Sequence, residues 1–148
     1  MDTRCTKEYY TIHTDSLNST SGNAFTITLD TPLKDVTEVS VLRANFDHSG
    51  FKTSNVAYLR VNELTSTFND SNQSRVKGSL TTFNLDSTGR TVYEERDYSS
   101  STMFVYPIQK LSKLTAEILD ETGNVLPTTS ETYISYKVTC ARENLCTM

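Results

Sequence analysis

Apolar residues in this 148-residue chain recur mostly at every second position, and that period marks out its elements. Phe25, Ile27 and Leu29 alternate with Thr26 and Thr28, giving an extended segment one apolar and one polar face. Before it, Tyr9-Tyr10-Thr11-Ile12-His13-Thr14 reads as an opening strand. After a break at Pro32, residues 38–46 read as a third. Thr and Val are stiff at χ1 and suit a pleated strand better than a helix. In the third strand the pattern slips: Val39 and Val41 share one face, whereas Leu42, Ala44 and Phe46 share the other. A bulge near Val41-Leu42 would turn both sets inward.

Ala57, Leu59 and Val61 alternate in the next strand, and polar residues 65–75 read as an exposed loop. Residues 77–85 form a weaker strand. Asp86-Ser87-Thr88-Gly89 has turn chemistry, so Thr91-Val92-Tyr93 is expected to start the returning strand of a hairpin. Met103-Phe104-Val105-Tyr106 is a short apolar run stopped by Pro107. Residues 108–121 allow two readings. Ile108, Leu111, Leu114 and Ile118 have helical spacing, yet Leu114, Ala116 and Ile118 alternate. The favoured reading is a loop or one helical turn over 108–113, then a strand. A hairpin turn at Asp120-Glu121-Thr122-Gly123-Asn124 then leads into Val125-Leu126. The closing strand puts Ile134, Tyr136, Val138 and Cys140 inward. Eight or nine strands with little helix imply two packed antiparallel sheets in one domain.

Ser and Thr exceed a quarter of the chain, which favours hydroxyl-bearing outer faces and polar loops. The net charge of −4 comes with scattered cations, Arg60, Arg75, Arg90 and Arg96 lying in separate segments. A phosphate-binding stripe is absent, which argues against a nucleic-acid partner. Cys5, Cys140 and Cys146 form no CxxC pair and no even set, so three reduced thiols are expected. A Cys140–Cys146 bridge or an intersubunit bond is the alternative. The first eight residues lack the apolar core of a signal peptide, and no 18-residue apolar run reads as a membrane span.

Candidate chemistry is thin. His13 and His48 are the only histidines. Asp15 lies two residues from His13, and Asp47 directly precedes His48, where neighbours on an extended chain point apart, so sequence proximity alone orients neither imidazole. No nucleophile elbow, phosphate-cradling loop or His-x-His pair is present, so no catalytic residue, metal site or cofactor is expected. Asp120, Glu121 and Asn124 offer oxygen ligands for calcium, although a solvated turn explains them better. Eight Tyr and six Phe with no Trp are spread over the strands, most of them read as core-edge residues with the Tyr hydroxyls reaching solvent. Tyr9 and Tyr10 would anchor an arm against a neighbouring subunit.

Three segments carry a family resemblance: Tyr10-Thr11-Ile12-His13-Thr14, Asn23-Ala24-Phe25-Thr26-Ile27-Thr28-Leu29, and Leu33-Lys34-Asp35-Val36-Thr37-Glu38-Val39. They resemble the strands of single jelly-roll penton and minor capsid proteins of large double-stranded DNA viruses and their virophage-like relatives. The segments around Val105-Tyr106-Pro107, Ile118 to Val125 and Tyr133 to Val138 agree more loosely. Residues 65–101 match nothing in the family's pattern.

The resemblance implies an all-β single jelly-roll β-sandwich of about eight antiparallel strands, with residues 1–8 as an N-terminal arm and 9–148 as the domain. It implies a virion capsid protein assembled in the host cell, in contact with the major capsid protein and with copies of itself as a homopentamer. The primary expectation is a non-enzymatic penton at the fivefold vertex of an icosahedral shell. A cement protein beneath the capsid hexamers, or a glycan- or receptor-binding sandwich, is the alternative. Tyr9, Tyr10, Phe51 and Tyr98 are the expected subunit contacts.

Overall fold

The computed structural model describes residues 6–17, 23–47, 56–65, 76–85, 90–94, 101–126 and 131–142. Their strands are β1 (Thr6–Asp15), β2 (Ala24–Asp47), β3 (Val56–Val61), β4 (Thr81–Asn84), β5 (Arg90–Glu94), β6 (Thr102–Leu119) and β7 (Tyr133–Arg142). Helix among the described residues is limited to 3-10 geometry, in the turn Asn62–Leu64 and at Val76. Every strand pairing is antiparallel, in the order β1-β7-β2-β6-β3-β4, with β5 also on β2.

Two long strands fold this sheet over on itself. The first part of β2 pairs with the end of β6, which in turn pairs with β3. The second part of β2 pairs with β7, with β5 and with the start of β6. The sheet therefore curls into a half-barrel, consistent with a β-sandwich. Its one apolar cluster draws on both parts, from Phe25, Leu59 and Ile118 to Val39, Ile134 and Val138.

Two prolines mark the corners. Between the pairs Thr28↔Lys113 and Leu33↔Leu111, residues 29–32 of β2 face a single residue of β6. Between Val36↔Ile108 and Glu38↔Met103 the excess lies on the other strand, where residues 104–107 face Thr37. Pro32 and Pro107 sit in these irregularities, where the missing N–H breaks no ladder bond. The strands thus run through both prolines instead of stopping at them. The expected loop or helical turn over 108–113 is likewise strand, held by Val36↔Ile108, Lys34↔Lys110 and Leu33↔Leu111.

Between the corners Asp35 adopts φ 54°, the left-handed region that a side chain enters at a cost. Asp35→Val should lower stability by about 1–2 kcal/mol, whereas Asp35→Gly should leave it unchanged or raise it. Urea midpoints of the two variants check this, and equal losses would refute the backbone argument.

The slip in the third strand is a bulge, because Val41 pairs with Tyr136 and Arg43 with Ser135. Val39, Val41, Ala44 and Phe46 are all buried in consequence, while Leu42 is half-buried. Of the expected inward set, Phe25, Val39, Val41, Leu59, Val61, Ile118, Ile134, Tyr136 and Val138 are buried, and Ile27 and Leu29 pack against the cluster. Each such aliphatic side chain stabilises the fold by roughly 1.5–3 kcal/mol.

Two further expectations change. β5 pairs with β2, not with β4 as a hairpin would require, so β4 and β5 lie in different parts of the sheet. β1 begins at Thr6, so Thr6, Lys7 and Glu8 of the expected arm are strand, opposite Arg142, Ala141 and Cys140. Residues 1–5 lie outside the described residues, as does the turn at 86–89.

Candidate interaction surface

The two tyrosines expected to anchor a neighbour are adjacent on β1 and therefore project from opposite faces. Tyr9 stands on the outer face, 62% exposed, with the Lys137 ammonium 5.0 Å from its ring centre. Tyr10 points the other way, 40% exposed, its hydroxyl donating to Glu8 Oε2 at 2.5 Å. They cannot act as one anchor. Phe51 and Tyr98 lie outside the described residues.

Register shows what accompanies Tyr9. Tyr9 lies opposite Thr139, Thr139 opposite Glu38, and Glu38 opposite Met103, so these side chains share one face. By the same rule Asp15, Tyr133, Asn45 and Val92 form a second row on that face. Tyr9, Met103, Tyr133 and Val92 are all exposed large hydrophobics. Tyr106 projects from the corner of β6 and is 84% exposed. Sequence reasoning singled out only Tyr9 of these five. Tyr133 was legible, since Ile134 and Tyr136 inward forces it outward. Met103 and Tyr106 belong to an unbroken apolar run, which assigns no face.

On the inner side of β1 a groove of about 740 Å³ separates that strand from the corner of β2. Its lining includes Glu8, Tyr10, Ile12, Leu29, Asp35 and Cys140. Cys140 is a free, buried thiol. Burial pushes its pKa up, and the carboxylates of Glu8 and Asp35 push it further, so the thiolate nucleophile is suppressed. His13, the other candidate, shares a hydrogen bond between its Nδ1 and Ser135 Oγ at 2.8 Å on the outer face. The strand separates the two, so they form no pair. His48 is outside the described residues.

The remaining polar groups are structural. Asp120 Oδ1 accepts from the Thr122 N–H, the Thr122 hydroxyl and the Asn124 N–H, which ties the turn after β6. Burial pushes the Asp120 pKa up, but these donors outweigh it and hold the carboxyl below its ordinary value. Gly123 supplies the positive φ of 87° that the turn needs. Among the described residues no three His, Cys, Asp or Glu side chains are grouped to hold a metal ion.

Two buried polar details escaped the sequence reading, the Asn23 side chain and the enclosed hydroxyl of Tyr136, a residue whose inward position was expected. Asn23 is fully buried, its amide donating to Leu126 O at 2.6 Å and its Oδ1 accepting from the Thr132 hydroxyl at 2.7 Å. Ser16 extends this knot by exchanging hydrogen bonds with the Thr132 backbone. Tyr136 is also fully buried, so its hydroxyl does not reach solvent as expected of the tyrosines. That hydroxyl has no hydrogen-bond partner. Burial drives its pKa far up, and the charge of Glu63 adds to the shift. The Glu63 carboxylate instead accepts from the Thr115 N–H and hydroxyl, at 2.6 and 2.9 Å. Tyr136→Phe should therefore raise stability by about 1 kcal/mol, because it removes a buried polar atom that gains nothing. A drop of similar size in thermal or urea unfolding would contradict this.

Among the described residues no helix is long and apolar enough to cross a membrane. No family model matches the chain, and no curated protein matches it.

Proposed function

We propose that this chain is a structural subunit of an icosahedral viral shell, acting by assembly and not by catalysis. The observation that carries the reading is the outer face of β1, β7, β2, β5 and the start of β6, which holds Tyr9, Met103, Tyr133 and Val92 exposed. Aromatic residues and Met are enriched in the cores of protein interfaces. A specific contact needs about 1,200–2,000 Å² in total. The all-β sandwich architecture agrees with this, and the strand resemblance to single jelly-roll capsid proteins adds to it. In this reading the sandwich is a single jelly roll.

The position proposed is the penton, five copies closing a fivefold vertex against the major capsid protein in the virion. Ring closure uses a heterologous contact, one patch meeting a different patch on the next copy. The test is electron microscopy of the purified chain. Closed five-membered rings support the penton. A monomer that binds a glycan saturably would replace this reading with a receptor-binding module.

A further inference from the structure

Hydrogen-bond parity on β1 shows which of its backbone groups are unused. Ser16 N donates to Thr132 O at 3.0 Å, and the β1–β7 register continues that pairing through Thr14↔Ile134 and Ile12↔Tyr136. In an antiparallel pair the bonded residues alternate with residues whose N–H and C=O point away. The even-numbered residues of β1 are therefore bonded to β7. The odd-numbered ones, Lys7, Tyr9, Thr11, His13 and Asp15, present their backbone groups to the other side. Among the described residues, β1 pairs with no strand except β7.

We propose that this edge pairs with the same edge of a second copy of the chain, antiparallel and centred on Thr11. The inference goes beyond the shell reading and does not rest on it. Pairing through the free groups must match odd residues with odd residues, which also keeps the outer faces of both copies on one side. Centred on Thr11, the pairing sets Lys7 against Asp15 of the second copy, twice over by symmetry. Tyr9 meets His13, and on the inner face Tyr10 meets Ile12. All five odd residues of each copy are used, giving about ten backbone hydrogen bonds. A shift by one pleat in one direction sets Lys7 against His13, and in the other it sets Tyr9 against Asp15. Either shift loses both ion pairs.

Charge on an edge strand normally discourages pairing. Here the sequence of charges repels foreign strands and fits its own reverse. Cross-strand pairs of opposite charge stabilise a sheet and like charges directly opposite destabilise it.

The test is the native mass and dissociation constant of the wild type and four variants. Thr11→Pro removes an N–H that β7 does not use, so β1 stays in the sheet while the edge contact is blocked. The wild type is expected to have twice the mass of Thr11→Pro. Lys7→Asp and Asp15→Lys should each weaken association by about tenfold, and the double swap should restore it. A dimer falling to a monomer supports the edge contact and leaves the fivefold ring without support. Ten chains falling to five supports both. A wild-type monomer, or an oligomer indifferent to Thr11→Pro and the charge swap, overturns the edge contact. In the second case a ring of five would still stand. Circular dichroism of each variant confirms folding, and because Lys7 and Asp15 are exposed, the charge series keeps the test valid if the proline variant unfolds.

Discussion

Phe83→Ala is expected to destabilise the fold by about 3–5 kcal/mol, a loss set by a large cavity in a packed aromatic cluster. Phe83 comes from β4, its ring centre 5.1 Å from that of Phe46 on β2 and 5.3 Å from that of Tyr93 on β5. The Phe83–Tyr93 contact is edge-on, at 70° between ring planes, which adds to simple area burial. β4 and β5 share no ladder, so these rings join two parts of the sheet that hydrogen bonds do not. Val92→Ala provides the contrast. Val92 neighbours Tyr93 but faces outward at 62% exposure, and its loss should stay within about 0.5 kcal/mol in a monomeric state. Urea unfolding of both variants measures the difference. Comparable losses would show that the aromatic cluster does not fasten the two parts.

The second large effect falls on the buried knot at Asn23. Asn23→Ala strands the Leu126 carbonyl and the Thr132 hydroxyl in the interior, at a cost of about 2–4 kcal/mol. Asn23 also accepts through its backbone from the Ile118 N–H at 2.8 Å, a bond the substitution keeps. The loss therefore isolates the side chain. Asn23→Asp adds a sign. Ionised, the carboxylate can accept from Thr132 but turns an acceptor toward Leu126 O. Burial raises its folded-state pKa, so the variant should regain stability as pH falls and the protonated carboxyl becomes a donor. A variant least stable at low pH would contradict this assignment of donors and acceptors.

The core was legible in the sequence because most buried positions obey a period of two. Even the bulge at Val41-Leu42 showed, since a change of face between Val41 and Ala44 has few other causes. The corners were illegible for the same reason in reverse. Leu111 and Leu114 are both buried across an odd spacing because the ladder is irregular between their β2 partners. That irregularity produces the apparent helical spacing over 108–118. Pro32 and Pro107 signal a stop only where an N–H is required, and neither lies in a regular stretch of ladder. The partner of β5 is a non-local choice, which no turn signal reveals. Of the expected contacts, Tyr9 and Tyr10 are both exposed, yet the pleat sends them to different surfaces. Asn23 was visible only as part of a strand-entry pattern, because nothing in one sequence distinguishes a buried amide from a turn amide.

The most direct measurement of the central claim is the symmetry of the assembled protein, read from electron-microscopy class averages of the purified chain. The account predicts closed rings of five copies. Single copies at every concentration, binding a glycan with saturation, would contradict it.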